Sequence, residues 1–552
     1  METLSIVLAT IYLMAGSLVA GESSPATRPN ILIIVADDMG FSDAGCYGGE
    51  IQTPNLDRLA TNGLRFRQFY NTGRCWPSRS CLLSGYYAQV IRRDPFAGEG
   101  APENVGRAGA SGVRQRWAQL LPEFLKPLGY HSYHSGKWHV DGKPLDNGFE
   151  HSYDVLNKEG YFKQTGANED GVKLPDVDAG YYNTIAVADY AIKYLKEHAA
   201  KYPNQPFFEY VAFHSPHFPI QALPEDIAVY KDRYKSGWDV MREERYERMK
   251  ELGLINCDLS ERDPNVKPKM TDAEIRKKIG PNEVSHAVAW DSLTAGQKEF
   301  QAAKMSVHAA MVHRMDIEIG RVLDQLKAMG ALENTLVIFL SDNGASAEQL
   351  VHGGGNDISA AVGSEQSYLC LGPGWANVAN TPFRLYKTWN HEGGIATPLI
   401  VNWPAGIKAH NEWRTNPGHL IDLVPTVLDL VGGTRPATVA GMAVPPLLGK
   451  SLVPVFTKDG SVTHDFLWWN HVGRRAIRIG DWKLVALSTS WELYDMSNDR
   501  SETKNLADKY PEKVEEMKKA WFQHAEEFHQ LALQDLPAGS SAKKGRKNPE
   551  EE

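Results

Sequence analysis

The chain has 552 residues, of which 59 are Lys or Arg and 68 are Asp or Glu, a formal charge of −9. That length supports a large core and more than one domain. A mildly acidic chain of ordinary apolar content argues against nucleic acid and anionic membrane surfaces as partners.

Residues 4–20 form an apolar run that ends in small residues, and it reads as a secretory signal cleaved near Ala20 and Gly21. Glu2 precedes the run and no Lys or Arg does, which departs from the usual signal. The alternative is an uncleaved N-terminal anchor. After cleavage no stable membrane association is expected. The chain has no Asn-x-Ser/Thr sequon, which favours a bacterial periplasm over a glycosylating route. Five cysteines stand at 46, 75, 81, 257 and 370, with no Cys-x-x-Cys pair. Zinc knuckles and thioredoxin-like chemistry are therefore disfavoured, while disulfides and free buried thiols both remain open.

Residues 30–36, Asn-Ile-Leu-Ile-Ile-Val-Ala, predict a strand buried on both faces, and it runs into Asp37-Asp38-Met39-Gly40. Adjacent carboxylates repel, so this pair needs a shared proton or a cation, although a turn or cap would account for one of them. A short helix follows at 55–63. Next comes Cys75-Trp76-Pro77-Ser78-Arg79-Ser80-Cys81-Leu82-Leu83-Ser84-Gly85. Pro77 suits a first helical turn, which sets Cys75 beside free N–H groups and the positive end of a helix dipole. Such a place favours an anion and a reactive thiol. For a lone cysteine, a buried structural thiol would be the ordinary reading.

A helix is predicted at 119–128 and a strand at 130–135, ending in Gly136-Lys137-Trp138-His139. Two apart on an extended segment, Lys137 and His139 would point the same way. A helix over 182–199 and a strand over 206–213 lead to His214-Ser215-Pro216-His217-Phe218-Pro219, where two histidines in a Pro-bounded loop suit acid–base work. Residues 224–304 carry many charges and no strand signal. They read as a solvated insertion, with an exposed helix at 239–252. Apolar residues at helical spacing predict a long helix over 305–329.

Residues 335–341 are a second continuous apolar strand, ending in Asp342-Asn343-Gly344. With Asp37-Asp38 this gives two sets of oxygen ligands at strand ends, a donor set for Ca²⁺ or Mg²⁺ and not for zinc. Residues 372–381 read as a Gly/Asn loop. Lys387 then precedes His391-Glu392-Gly393-Gly394, which is not the zinc-protease pattern because no His stands at 395. A strand at 398–402 and a helix at 420–430 follow. Beyond about residue 450 the pattern shifts to short strands at 465–470, 475–479, 482–486 and 491–494, then an amphipathic helix at 511–528. The divisions expected are a signal at 1–21, a catalytic domain at 22–449, a C-terminal subdomain at 450–536 and a disordered tail at 537–552.

The Cys75 stretch resembles the signature of type I sulfatases, Cys-x-Pro-Ser-Arg-x-x-Leu-Leu-(Ser/Thr)-Gly. Gly129-Tyr130 through Gly136-Lys137-Trp138-His139 resembles that family's second signature. His217 in Pro-His-x-Pro and Lys387 ahead of His391-Glu392-Gly393-Gly394 match further positions. The resemblance implies an alkaline-phosphatase-like α/β fold with a mixed, mostly parallel sheet and a small C-terminal α+β subdomain. It implies that a maturation enzyme oxidises Cys75 to formylglycine, whose hydrate is the nucleophile. It assigns Asp37, Asp38, Asp342 and Asn343, with an oxygen of residue 75, to a Ca²⁺ or Mg²⁺. Arg79 would steady the hydrate, Lys137 and Lys387 would clamp sulfate, His139 would assist release of sulfate and His217 would protonate the leaving oxygen. His214 and His391 would line the pocket.

The activity implied is arylsulfatase-like hydrolysis of a small sulfate ester or a sulfated sugar by a secreted or periplasmic enzyme. One competing reading is a phosphonate or phosphate monoester hydrolase on the same fold, and another is an exosulfatase for sulfated carbohydrate. A secreted binding protein with a dead site is disfavoured by the intact set of candidate residues.

Overall fold

The computed structural model describes residues 28–94, 113–156, 159–177, 179–266, 268–352, 355–487 and 490–534. The expected signal at 1–21 and the tail at 537–552 lie outside the described residues. Seven strands organise the main sheet: β1 (Asn30–Asp37), β2 (Leu64–Tyr70), β3 (His131–Gly136), β4 (His151–Asp154), β5 (Phe207–Pro216), β6 (Thr335–Ser341) and β7 (Ala396–Asn402). Their order is β2-β7-β6-β1-β5-β3-β4, extended by short strands at both edges. β1 pairs in parallel with β5 and β6, and β3 with β4 and β5, whereas β7 runs antiparallel to β2 and β6.

The apolar run of β1 is buried on both faces because each face meets a separate core. Leu32, Ile34 and Ala36 join the layer formed with helices Asn183–Lys201 and Ala295–Ala328. Ile31, Ile33 and Val35 face the other layer, which holds Cys81, Leu82 and Leu83 of helix Cys75–Ser84. Side chains alternate along a strand. Asp37 therefore follows Ile33 and Val35 onto the Cys75 helix's side, and Asp342 follows Ile338 and Leu340 of β6 to the same side.

Beyond this layer, strands Leu467–His471, Arg474–Ile479, Trp482–Leu487 and Ser490–Asp495 make an antiparallel sheet. Helix Pro511–Leu533 packs on it through Met517, Trp521 and Phe528, and the same apolar core continues into the main layer.

Three local expectations are corrected. Residues 372–381 are not a loop but hold the helix Pro373–Ala379, with Pro373 at a first-turn position where its missing N–H costs nothing. The charged stretch 224–304 is not a solvated insertion. Its helix Gly237–Glu251 buries Trp238, Met241, Arg242, Arg245 and Met249, and Trp238 packs against Trp290 and Trp375. Arg245 is buried because its guanidinium meets Asp43 and Glu50, each at 2.8 Å. Lys137 and His139 are not on an extended segment: the strand ends at Gly136 (φ 112°), and His139 takes a left-handed φ of 52°. All five cysteines are free and buried.

Candidate active site

Helix Cys75–Ser84 begins at the nucleophile candidate. Arg74 is the extended N-cap residue, and Gly85 closes the helix with a φ of 76° that strains any residue with a Cβ. Ser78 Oγ accepts from the Thr72 amide (3.1 Å) and lies 2.8 Å from Thr72 Oγ1, which pins the turn leading into the helix. One turn on, Arg79 is wholly buried. Its Nε donates to Asp342 Oδ2 at 2.8 Å, its Nη2 lies 3.7 Å from Asp37 Oδ2, and its Nη1 donates to the Lys137 carbonyl at 3.0 Å. A buried guanidinium that joins two strand ends to the helix is expected to hold its charge, and Asp342 first and then Tyr210 and Asp37 raise its pKa against burial.

The two lysines come from different elements. Lys137 Nζ lies 2.5 Å from Asp37 Oδ2, and Lys387 Nζ lies 2.7 Å from Asp38 Oδ1. Asn343 Nδ2 donates to Asp38 Oδ1 at 2.6 Å. His217 Nδ1 meets the Phe218 carbonyl at 2.7 Å, which leaves Nε2 aimed at the site, 3.7 Å from Asp38 Oδ2. His139 sets its ring edge-on to Trp76 at 5.8 Å, and its Nδ1 has no hydrogen-bond partner among the described residues. The Nδ1 of His214 is likewise buried without a partner.

Electrostatics separate the carboxylates. Burial would raise Asp37, but Lys137, His217, Arg79 and Lys387 outweigh it and hold Asp37 well below the usual carboxylate range. Asp342 goes the other way: burial and then the Asp37 charge push it up to about 7. A repelling pair of this kind is what a divalent cation relieves. Burial and Lys387 push His217 down to about 4. Burial, and then Lys137, depress both His139 and His214.

The residues fit a hard cation. Asp37 Oδ1, Asp342 Oδ1 and Asn343 Oδ1 are buried and have no hydrogen-bond partner among the described residues. Ligand atoms of Asp37, Asp38 and His217 lie within 4.8 Å of one another. Carboxylate and amide oxygens suit Ca²⁺ or Mg²⁺.

All the residues singled out in the sequence except His391 converge here. His391 does not line this pocket: its Nε2 lies 2.9 Å from Glu492 Oε2 on the C-terminal sheet. The expectation of a reactive thiol at Cys75 is also corrected. Burial raises the thiol pKa despite Lys137 and Lys387, so the native thiol stays protonated. Sequence reasoning missed Glu348, whose side chain is 9% exposed and joins Arg74 (3.0 Å), Lys269 (3.2 Å) and Lys387 (3.6 Å). It sits in a segment without helix or strand, and no pattern in the sequence marks it.

Comparison with known proteins identifies the family. A family model described as Sulfatase matches residues 29–433, and one described as N-sulphoglucosamine sulphohydrolase, C-terminal, matches residues 383–529. A sulfatase of Schizosaccharomyces pombe, described as uncharacterized, is 35% identical over 552 residues, covering 91% of this chain and 94% of its own. The arylsulfatase of Klebsiella aerogenes is 31% identical over 475 residues, covering 80% of this chain and 95% of its own. The N-acetylglucosamine-6-O-sulfatase of Bacteroides thetaiotaomicron is 26% identical, covering 94% of this chain and 89% of its own. Among solved structures, Ps i-CgsB in complex with k-i-k-neocarrahexaose aligns with a TM-score of 0.62 at 22% identity, over 90% of this chain and 93% of that one. BT4656 in complex with its substrate D-glucosamine-2-N,6-O-disulfate aligns with a TM-score of 0.58 at 22% identity, over 94% of this chain and 100% of that one. The likeness to these two structures is one of fold.

Proposed function

The chain belongs to the sulfatase family, and from that premise we propose that it cleaves sulfate monoesters at the Cys75 site, with residue 75 matured to formylglycine and Ca²⁺ or Mg²⁺ held by Asp37, Asp38, Asp342 and Asn343. It is a sulfuric ester hydrolase. The observation that carries the site assignment is the trio of buried, unpartnered oxygens on Asp37, Asp342 and Asn343, set beside the first turn of the Cys75 helix.

The cation bound there would polarise the sulfate group and offset charge that develops on its oxygens. Hydrated formylglycine would supply two hydroxyls on one carbon, one to attack sulfur and one whose deprotonation expels sulfate. The chain's own residues do the rest. Lys137 Nζ and Lys387 Nζ flank the site and bind sulfate oxygens. Arg79 anchors Asp342 and Asp37 and steadies residue 75, and Asp342 takes the nucleophile's proton. His217 delivers a proton from Nε2 to the leaving oxygen in its charged form, with Nδ1–H donating to the Phe218 carbonyl; because the ring alone sits at about 4, the negative charge of the bound ester is what must stabilise that form. His139, whose Nδ1 has no hydrogen-bond partner among the described residues, assists the release of sulfate.

The substrate class includes aryl sulfates and sulfated sugars. The second of these draws support from the relative named N-acetylglucosamine-6-O-sulfatase. The apolar run at 4–20 supports a secreted or periplasmic enzyme matured by a formylglycine-generating partner. Among the described residues no helix is long and apolar enough to cross a membrane. A division near residue 450 separates the catalytic domain from the C-terminal antiparallel sheet.

Matured protein should release sulfate from 4-nitrophenyl sulfate with Ca²⁺ present and lose that activity in chelator. Faster turnover of 4-nitrophenyl phosphate than of the sulfate would favour the phosphohydrolase reading instead.

A further inference from the structure

The hairpin between strands Leu467–His471 and Arg474–Ile479 turns through Val472 and Gly473, both at positive φ. Its base is fixed against the catalytic helix. His471 Nδ1 lies 2.9 Å from the buried Asp94 Oδ2, and its ring packs on Trp76 at 5.6 Å. The first residue past the turn, Arg474, sets its guanidinium 4.4 Å from the centre of the Trp389 ring. Its Nε is buried without a hydrogen-bond partner, and no carboxylate among the described residues forms an ion pair with it. Trp389 follows Thr388, whose amide donates to the Gly73 carbonyl at 2.7 Å, so this cation and its indole stand beside the turn that enters Cys75.

The charge count at this rim does not close. Glu348 is shared by Arg74, Lys269 and Lys387. Lys387 has Asp38 as a second partner. Arg74 also lies 5.1 Å from the Trp76 ring. Arg474 adds a further cation that forms no ion pair of its own among the described residues. Burial, and then the Arg74 charge, push its pKa down to about 10, against the opposing pull of Glu348. A cluster of cations that outnumbers its carboxylates, with planar guanidiniums able to grip two oxygens at once, is built to receive an anion.

We propose that Arg474 and Arg74, framed by Trp389 and Trp76, form a subsite for a second anionic group of the substrate, so that the preferred substrate is a sulfated saccharide carrying another sulfate or a carboxylate. This inference rests on the sulfatase reading above and narrows its substrate class. The first sulfate occupies the lysine-flanked site at Cys75, and the second anion reaches the rim. Arg474 is then a specificity residue whose loss weakens binding of doubly charged ligands selectively.

The test uses matured, calcium-loaded, full-length protein with 4-nitrophenyl sulfate as reporter. Two inhibitors that differ by one sulfate are compared, glucosamine 6-sulfate and glucosamine 2-N,6-O-disulfate. In the wild type the disulfate should inhibit at least about tenfold more tightly, the scale of one charge-assisted contact. Arg474→Gln should collapse that ratio towards one, and Arg474→Lys should restore part of it. Because the readout is a ratio within each variant, a change in folding yield does not enter it. Equal inhibition of the wild type by both sugars, or a ratio that survives in Arg474→Gln, overturns the subsite. Failure of the wild type to hydrolyse the reporter at all sinks the sulfatase reading, and the subsite falls with it. Hydrolysis with an unchanged ratio sinks the subsite alone.

Discussion

Glu209 sits in the middle of β5, where no charged group offsets its burial. It is 0% exposed, and neither carboxylate oxygen has a partner among the described residues. Its Cα partners are Leu32 of β1 and Tyr133 of β3, and its side chain shares a face with Phe207 and Val211, towards the two long helices. Burial alone raises its pKa well above the usual carboxylate value. A buried polar group without partners costs about 1–3 kcal/mol, more if it is charged. Glu209→Met keeps the length of the side chain and removes the polar group, so it should stabilise the protein by about 1–3 kcal/mol where the carboxyl is neutral and by more at higher pH. The sign of the pH dependence follows from the raised folded-state value. The unfolded carboxyl titrates near about 4.3. Below that, both states are protonated and the wild type keeps its full stability. Between that value and the higher folded one, the folded state holds a proton that the unfolded state has released, so stability is lost as pH rises. The advantage of Glu209→Met should therefore be smallest near pH 4, where the neutral carboxyl still lacks partners, and grow as pH rises. Urea unfolding at several pH values, followed by the fluorescence of the 14 tryptophans, measures this. A variant less stable than the wild type at neutral pH, or a difference that does not change with pH, would refute the reasoning.

Three further outcomes are expected. Asp342→Ala removes one of the three unpartnered oxygens at the proposed cation site. Sulfatase activity should collapse and excess Ca²⁺ should not restore it; full activity of this variant in chelator would contradict the metal assignment. His217→Ala should lose about 10²–10⁴-fold on esters with poor leaving groups and much less on an acidic phenol, as general acid catalysis requires. Equal losses across a leaving-group series would remove that role. Arg245→Ala removes the buried counterion that Asp43 and Glu50 share while leaving His308 beside Asp43 and Tyr234 and Arg248 beside Glu50, so unfolding free energy should fall by about 3 kcal/mol, the lower end for a broken buried pair. A neutral effect in denaturant titration would restore the solvated-insertion reading of that segment.

What was legible in the sequence was set by local chemistry. The runs at 30–36 and 335–341 are buried on both faces, so the apolar pattern alone reports them, and strand alternation then puts Asp37 and Asp342 on the Cys75 side. The meeting of Lys137 with Asp37 and of Lys387 with Asp38 depends on crossovers that no window of sequence contains. Strand β2 went unread because its alternation breaks at a bulge between Phe66 and Phe69, and because Arg65 is buried against the face of Trp413 at 4.0 Å. Arg245 looked solvent-exposed because its partners, Asp43 and Glu50, lie nearly two hundred positions away. Glu348 escaped for the same reason, since an ion network across several segments leaves no periodic trace, and Arg474 escaped because its partner is a ring on a distant segment, Trp389.

The central claim is that residue 75 works as formylglycine and not as a thiol. Burial keeps the native thiol protonated, and a sulfated thiol would have no second hydroxyl through which to eject sulfate. Trypsin cuts after Arg74 and Arg79, so Cys75-Trp76-Pro77-Ser78-Arg79 is released as one short peptide. Mass spectrometry of that peptide from active protein should show a fraction without sulfur that reacts with a carbonyl reagent, and specific activity should scale with that fraction. Fully active enzyme that yields only the unmodified, alkylatable Cys75 thiol would contradict the account.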